Sequence, residues 1–297
     1  MKFPGSPAPA LHERHEQHAG AARGMLFILA STVFFALLDS LSKYLVRDYP
    51  VAGVVWVRYA VPLLLLSVIF GPRMGKKLIY SSRMGVQMLR GLLLMGTTLA
   101  MVLSLRVLPL AETEAISFTA PLLLTAMAAM LLGEHVRRSA WAAVIAGFIG
   151  VLIIIRPGGG VFSTAVALPL CAAVFYALYQ LATRHVAGRE NALTSLFYAM
   201  LAGTVIMSLA LPWLWVTPNL KQMTLLLIVG LLAGAGHFCV IKAFMVAPAS
   251  RLAPFAYAQL VWVSIIGSTM FGEFPGTLNL LGMTVIAGSG LLVVFRK

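Results

Sequence analysis

Ten stretches of this chain stay apolar for about as long as a helix needs to cross a bilayer, roughly 20 residues over a ~30 Å hydrocarbon core. They cover 24–46, 51–70, 87–107, 111–132, 140–156, 161–183, 192–213, 222–245, 251–271 and 277–295. Inside lipid a backbone must satisfy its own N–H and C=O groups, which leaves helices and closed barrels. Barrel strands alternate at period two, and these runs do not. The expectation is an all-α integral membrane protein with ten transmembrane helices. At 60% hydrophobic and 10% charged residues, the chain is far from a soluble domain, which carries about 25% charge.

The net charge of +13 reads as topology once its placement is followed. Counting from a cytoplasmic N-terminus, one side receives Lys2, Arg14, Arg23, Arg73, Lys76, Lys77, Arg83, Arg137, Arg138, Arg184, Arg189, Lys242, Arg251, Arg296 and Lys297. The other receives Lys43, Arg47, Arg106, Arg156 and Lys221. Positive residues stay inside, so both termini are expected in the cytoplasm and the protein in the inner membrane. That placement argues against nucleic acid as a partner. Residues 1–23 are polar, hold Pro4, Pro7 and Pro9, and lack an apolar signal core, so they are read as a disordered cytoplasmic tail. His12, His15 and His18 in that tail form a metal site only if it becomes helical, and a solvated tail is the favoured reading. Cys171 and Cys239 both fall inside spans and read as small packing residues.

A repeat organises the spans. Gly91-Leu92-Leu93 returns as Gly230-Leu231-Leu232, Val107-x-Pro109 as Val246-x-Pro248, and Gly133-Glu134 as Gly272-Glu273. Upstream, Val33-Phe34-Phe35-Ala36-Leu37 reappears as Val174-Phe175-Tyr176-Ala177-Leu178. Such a fixed-period echo marks a duplicated unit. The units are 24–156 and 161–295, five spans each. An odd number of spans makes the second copy enter from the opposite face, so the chain is expected to form two inverted five-helix repeats.

Polar residues inside lipid are costly and mark interior surfaces. In span 1, Thr32, Phe35, Asp39 and Lys43 share a face, and Asp39 and Lys43 stand four apart, a spacing that allows a pair. Their mates in span 6 are Gln180 and Arg184, beside Tyr176, Tyr179 and Thr183. Span 3 carries Arg90, Thr97 and Ser104 on one stripe. His237 in span 8 takes the slot of Thr98; it is either a proton carrier or a packing histidine. Span 4 opens Glu112-Thr113-Glu114 beside Arg106, a gate or simply acids at a positive helix end, with helix capping favoured for Glu112. Pro121 then permits a bend. Span 9 offers Phe255, Gln259 and Trp262 on one face, suited to a planar or zwitterionic organic solute. Arg58 in span 2 either snorkels or holds a carboxylate; its repeat mate is Phe197.

No zinc HExxH, phosphate-cradling glycine loop or GxSxG elbow is legible, and Gly158-Gly159-Gly160 lacks the Lys-Ser/Thr that holds nucleotide. No enzyme, cofactor or metal site is therefore expected. Over about 24–295 the chain resembles the drug/metabolite transporter superfamily in its ten-span form with two EamA-type halves. The resemblance rests on the paired segments Ala111–Glu134 and Ser250–Glu273, each closing in Gly-Glu, and on the run Phe255-x-Tyr257-x-Gln259-Leu260-Val261-Trp262. It implies a central cavity lined by spans 1, 3, 4, 6, 8 and 9, and cargo such as amino acids, riboflavin, S-adenosylmethionine or metallophores. Leu260 stands where the first half has Pro121, so the halves need not bend alike.

The resulting expectation is a secondary transporter of a small organic metabolite, working by alternating access. Arg58, Arg90, Tyr176, Tyr179, Phe255, Gln259 and Trp262 are expected to bind the solute. Asp39, Glu114 and His237 are expected to serve coupling or gating, with protons as a possible partner. A riboflavin or S-adenosylmethionine uptake carrier is the narrower alternative. A passive channel or a membrane-embedded enzyme is the reading from another class. Cargo, direction, coupling ion and oligomeric state are left open by the residues alone.

Overall fold

A computed structural model describes residues 11–132, 137–156, 164–186, 190–247 and 249–295. Gly133-Glu134, Gly158–Gly160, Arg189, Pro248, the first ten tail residues and the Arg184 and Arg251 side chains lie outside the described residues. The helices are α1 (Leu11–Leu45), α2 (Val51–Met74), the single turn α3 (Lys76–Ile79), α4 (Met84–Val107), α5 (Leu110–Ser117), α6 (Ala120–Leu132) and α7 (Arg138–Ile155). There follow α8 (Ala167–Val186), α9 (Ala192–Leu214), α10 (Leu220–Val246), α11 (Ala249–Ala256), α12 (Ala258–Phe271) and α13 (Thr277–Phe295). Among the described residues, eight segments are long and apolar enough to span a membrane, and Ala167–Thr183 and Thr277–Leu292 are shorter apolar helices. The protein is a multi-pass membrane protein built on ten helical passes, with α5–α6 and α11–α12 each forming one pass in two pieces. α1 reaches back to Leu11, further than the expected start at residue 24. No proline follows Pro9 in that stretch to stop it.

Local chemistry sets the helix ends. The Asn191 side chain accepts from the Leu193 N–H, and Asn219 and Gln222 form a capping box at the start of α10. Pro50 and Pro109 precede α2 and α5, where a missing N–H costs nothing. Gly272 ends α12 in the left-handed region, φ 69°, a conformation that favours glycine.

Packing obeys the repeat. α1 packs on α10 as α8 packs on α4; α2 lies on α9, and α7 on α13. α10 meets α2 as α4 meets α9, and α1 meets α11–α12 as α8 meets α5–α6. Exchanging the halves reproduces every one of these pairings. The repeated glycines explain how. A Cβ on Gly91 would stand 2.5 Å from the Ala202 Cβ on α9, and one on Gly230 the same distance from the Val61 Cβ on α2. Each glycine lets its helix come close to its partner, the usual device where lipid supplies no hydrophobic drive between helices. Large apolar side chains such as Leu64, Val68, Ile145 and Leu209 remain exposed, as a lipid-facing surface requires.

Both broken passes break at the same repeat position. Phe118 separates α5 from α6, and Tyr257 separates α11 from α12. Leu260 in place of Pro121 left the halves free to bend differently, yet both break at this position. At the second break, the Leu260 N–H donates to the Tyr257 carbonyl, three residues back, so the ladder tightens with no proline in the place of Pro121, while Pro254 stands three residues before the break. The two break residues touch, with Phe118 and Tyr257 ring centroids 5.2 Å apart.

Candidate functional site

The polar residues inside the bundle gather into three groups. The first closes the end where α1 and α12 finish. Lys43, nine-tenths buried, lies 2.9 Å from Glu273 Oε1 and also donates to the Leu108 carbonyl. Glu273 Oε2 accepts from the Leu110 N–H at 2.9 Å. Gly272 aims this carboxylate: its left-handed turn ends α12 and delivers the next residue back over the bundle. The clasp therefore joins a lysine from the first half to a glutamate from the second. Beside it, Asn279 donates to Glu112 and accepts from Arg156 Nη2 at 3.1 Å. Arg47 lies 5.0 Å above the Phe271 ring. Glu112 thus sits in the first turn of α5, where an acid favours the helix end, and also bonds across the repeat, with Arg156, not Arg106, completing that contact.

The second group lies deeper, where α1, α5 and α12 pack together. Arg58 Nη1 donates to Asp39 Oδ1 at 2.7 Å and to Ser42 Oγ at 3.2 Å. The expected Asp39–Lys43 pair does not form, because each side chain has a better partner arriving from another helix. Glu114 adjoins Asp39 and Gln259, is 4% exposed, and its Oε1 has no hydrogen-bond partner. The buried Trp262 Nε1 is likewise unpartnered. His237 meets Phe35 edge-on at 5.3 Å, with Arg58 nearby. Five residues singled out along the sequence, Asp39, Arg58, Glu114, Gln259 and His237, are thereby brought into one region. Phe255 is not among them. It packs with Ile28, Ala243 and Leu252 near the other end, because the break at Tyr257 interrupts the helical face it was expected to share with Gln259 and Trp262.

The third group surrounds Arg90, 4% exposed on α4. Its Nε donates to Thr183 Oγ1 at 2.9 Å, Nη1 to Gln87 Oε1, and Nη2 to the Tyr179 hydroxyl at 3.4 Å. The guanidinium also lies 5.2 Å from the Tyr179 ring centre, and Tyr179 stacks on Tyr176 at 5.8 Å. Every one of these partners is neutral.

The arrangement leaves two charges over. Asp39 and Arg58 cancel, as do Lys43 and Glu273; among the described residues Glu114 and Arg90 form no ion pair, although Arg58 stands close enough to act on Glu114. Burying an unpaired ion costs several kcal/mol, so such groups persist where a partner arrives from elsewhere or where a proton neutralises them. An apolar groove of about 320 Å³ lies apart from these groups, between α12 and α13, lined by Tyr257, Leu260, Ser264, Met283 and Thr284. It holds none of the charged residues. Beyond the spans, at the opposite end from the clasp, Glu190 accepts from the Ser82 hydroxyl at 2.7 Å and its N–H at 3.0 Å. Those bonds, the hydroxyl's first, hold the Glu190 carboxyl below its ordinary range.

Glu273 entered the sequence reading only as half of a repeated Gly-Glu mark. A glutamate kept after a glycine at one spot in both halves of so apolar a chain was the available signal, and only the fold supplies Lys43 as its partner.

Comparison with known proteins places this geometry. A solved crystal structure, 17% identical, matches the fold with a TM-score of 0.64 over 93% of this chain and 96% of that one. The S-adenosylmethionine uptake transporter of Rickettsia bellii is 29% identical, covering 92% of this chain and 94% of its own length. The riboflavin transporter of Vibrio cholerae is 29% identical over 89% of this chain and 90% of its own. The pseudopaline exporter of Pseudomonas aeruginosa is 25% identical over 89% and 93%. The model of the EamA-like transporter family matches twice, at residues 22–156 and 163–295, the two halves that the repeat defines. With both halves matched, the chain belongs to the EamA-like transporter family.

Proposed function

We propose that this protein is a secondary transporter that carries a small organic metabolite across the inner membrane by alternating access, with both termini in the cytoplasm. The observation that carries the reading is the pair of buried ionisable side chains that form no ion pair among the described residues, Glu114 and Arg90, set between two halves whose packing interchanges. Interchangeable halves can close at one end while opening at the other. Relatives that move S-adenosylmethionine, riboflavin and pseudopaline support an organic cargo over a bare ion. Gln259 and Trp262 hold the solute beside the unpartnered Trp262 N–H and Glu114 oxygen, and Tyr176 and Tyr179 supply a flat flank. Asp39 and Glu114, two carboxylates against the one guanidinium of Arg58, form the proton-sensitive element, with His237 at its edge.

The test is counterflow in proteoliposomes preloaded with unlabelled S-adenosylmethionine, riboflavin or an amino acid. A carrier accelerates entry of label under preload, and a channel does not. Trp262→Ala should cut the counterflow rate about tenfold or more while leaving the amount of protein in the membrane unchanged. Unaltered kinetics would remove Trp262 from the site, and no preload effect with any solute would remove the carrier reading.

A further inference from the structure

We infer that Arg90, rather than Arg58, is the docking point for the carboxylate of the solute; this rests on the carrier reading above. The two arginines occupy related places. Arg58 reaches Ser42 on α1, and Arg90 reaches Thr183 on α8; by the repeat register of Val33–Leu37 with Val174–Leu178, Ser42 and Thr183 are mates. One turn earlier on the same helices stand Asp39 and its mate Gln180. The first arginine therefore meets a carboxylate built into the chain. The second meets an amide-bearing helix at the corresponding level and, among the described residues, has no carboxylate partner.

Packing alone does not call for a cation there. The repeat mate of Arg90, next to Gly230 as Arg90 is next to Gly91, is Val229, which is fully buried. An apolar side chain fills that place in the other half. A guanidinium carries five N–H donors in a planar fork, and the bonds of Arg90 to Thr183, Gln87 and Tyr179 leave part of that fork unengaged. The contact with the Tyr179 hydroxyl, at 3.4 Å, is the longest and weakest of them. Tyr179 stacks on Tyr176, which is 37% exposed, so the fork lies behind an aromatic pair whose outer ring is partly uncovered. A solute whose flat part rests on those rings can displace the phenol and present two oxygens to the fork, the geometry arginine binds best. Arg58 differs in charge, since its Nη1 already faces the Asp39 carboxylate at 2.7 Å and a second carboxylate there would meet that one.

The experiment uses the full chain in proteoliposomes. Labelled S-adenosylmethionine, which carries a carboxylate, and labelled riboflavin, which carries none, are the counterflow probes; L-methionine, L-tryptophan and their methyl esters are unlabelled competitors. In the wild type at least one free acid should compete about tenfold or more better than its ester, the equivalent of a charged hydrogen bond. Arg90→Gln should erase that ratio, and Arg58→Gln should preserve it, whatever it does to the rate. Should Arg90→Gln fail to reach the membrane, Arg90→Lys decides: the ratio falls several-fold because an ammonium cannot fork, and an unchanged ratio counts against the inference. Acid and ester competing equally in the wild type, a ratio surviving Arg90→Gln, or exchange of riboflavin alone would overturn it while leaving the carrier intact. No counterflow by any probe would overturn the carrier reading, and the inference with it.

Discussion

Lys43 shows how far a single side chain can be read from its own helix. Spacing offers Asp39 as its partner, because residues four apart on a helix are neighbours. Yet Asp39 belongs to Arg58 on α2, and Lys43 to Glu273 beyond the end of α12. A one-dimensional pattern ranks only partners within one helix, and both true partners come from others. That Asp39, Arg58, Glu114, Gln259 and His237 face the bundle interior was legible, since each is a polar residue kept in lipid at a cost; how they pair was not. The clasp predicts a thermodynamic pattern. Glu273→Gln should lower stability by about 2–3 kcal/mol, less than the full penalty for breaking a buried pair because Glu273 is partly exposed. Lys43→Met with Glu273→Met together should recover most of that loss. Melting of the purified protein in detergent measures both, and additive losses in the double variant would show that the pair does not act as a unit.

At the scale of helices, the repeated glycines were visible as an echo, but their purpose appears only in the packing. Gly91→Val and Gly230→Val should each cost about 1–3 kcal/mol by overfilling a close crossing, read as a fall in melting temperature. Gly71→Ala, with nothing within 4 Å of its added carbon, should be neutral or slightly stabilising. The broken passes teach a different lesson. Pro121 pointed to a bend in the first half, and the second half breaks at the matching residue with Leu260 in the place of Pro121 and its own proline, Pro254, ahead of the break, so the position does not depend on a proline at one fixed place. Between helices, the Ser82–Glu190 contact is sensitive to acid. Because the folded carboxyl titrates below its ordinary value, the contact is complete above the usual glutamate pKa of about 4.3 and is lost as pH falls through the lowered folded value. Amide exchange at Ser82, corrected for intrinsic rate, should quicken only in that acidic window, and Ser82→Ala should move the Glu190 titration back toward its ordinary range.

The whole molecule was the most legible level. Continuous apolar runs gave the passes within a few residues, and the internal echo gave the two halves, since both follow from the bilayer's thickness and from duplication rather than from side-chain detail. The proposed orientation makes a direct prediction. In a background with Cys171→Ser and Cys239→Ala, an impermeant maleimide added to intact cells should label Asp48→Cys and spare Ser81→Cys until the membrane is opened. The reverse pattern would invert the assignment of faces.

One consequence follows from the Lys43–Glu273 clasp and the charges around it. The backbone plan of the halves can be interchanged, and so can the charge signs of the clasp, since Lys43 answers to Arg184 and Glu273 to Glu134; the deeper ionised groups cannot: Arg58 answers to Phe197, Asp39 to Gln180, Arg90 to Val229. On the proposed cycle the two orientations of the empty carrier are therefore unequal in energy, and it is the deeper charges, not the clasp, that set the difference. Loading from the two sides of the membrane should then saturate at different concentrations, a built-in bias that needs no second protein.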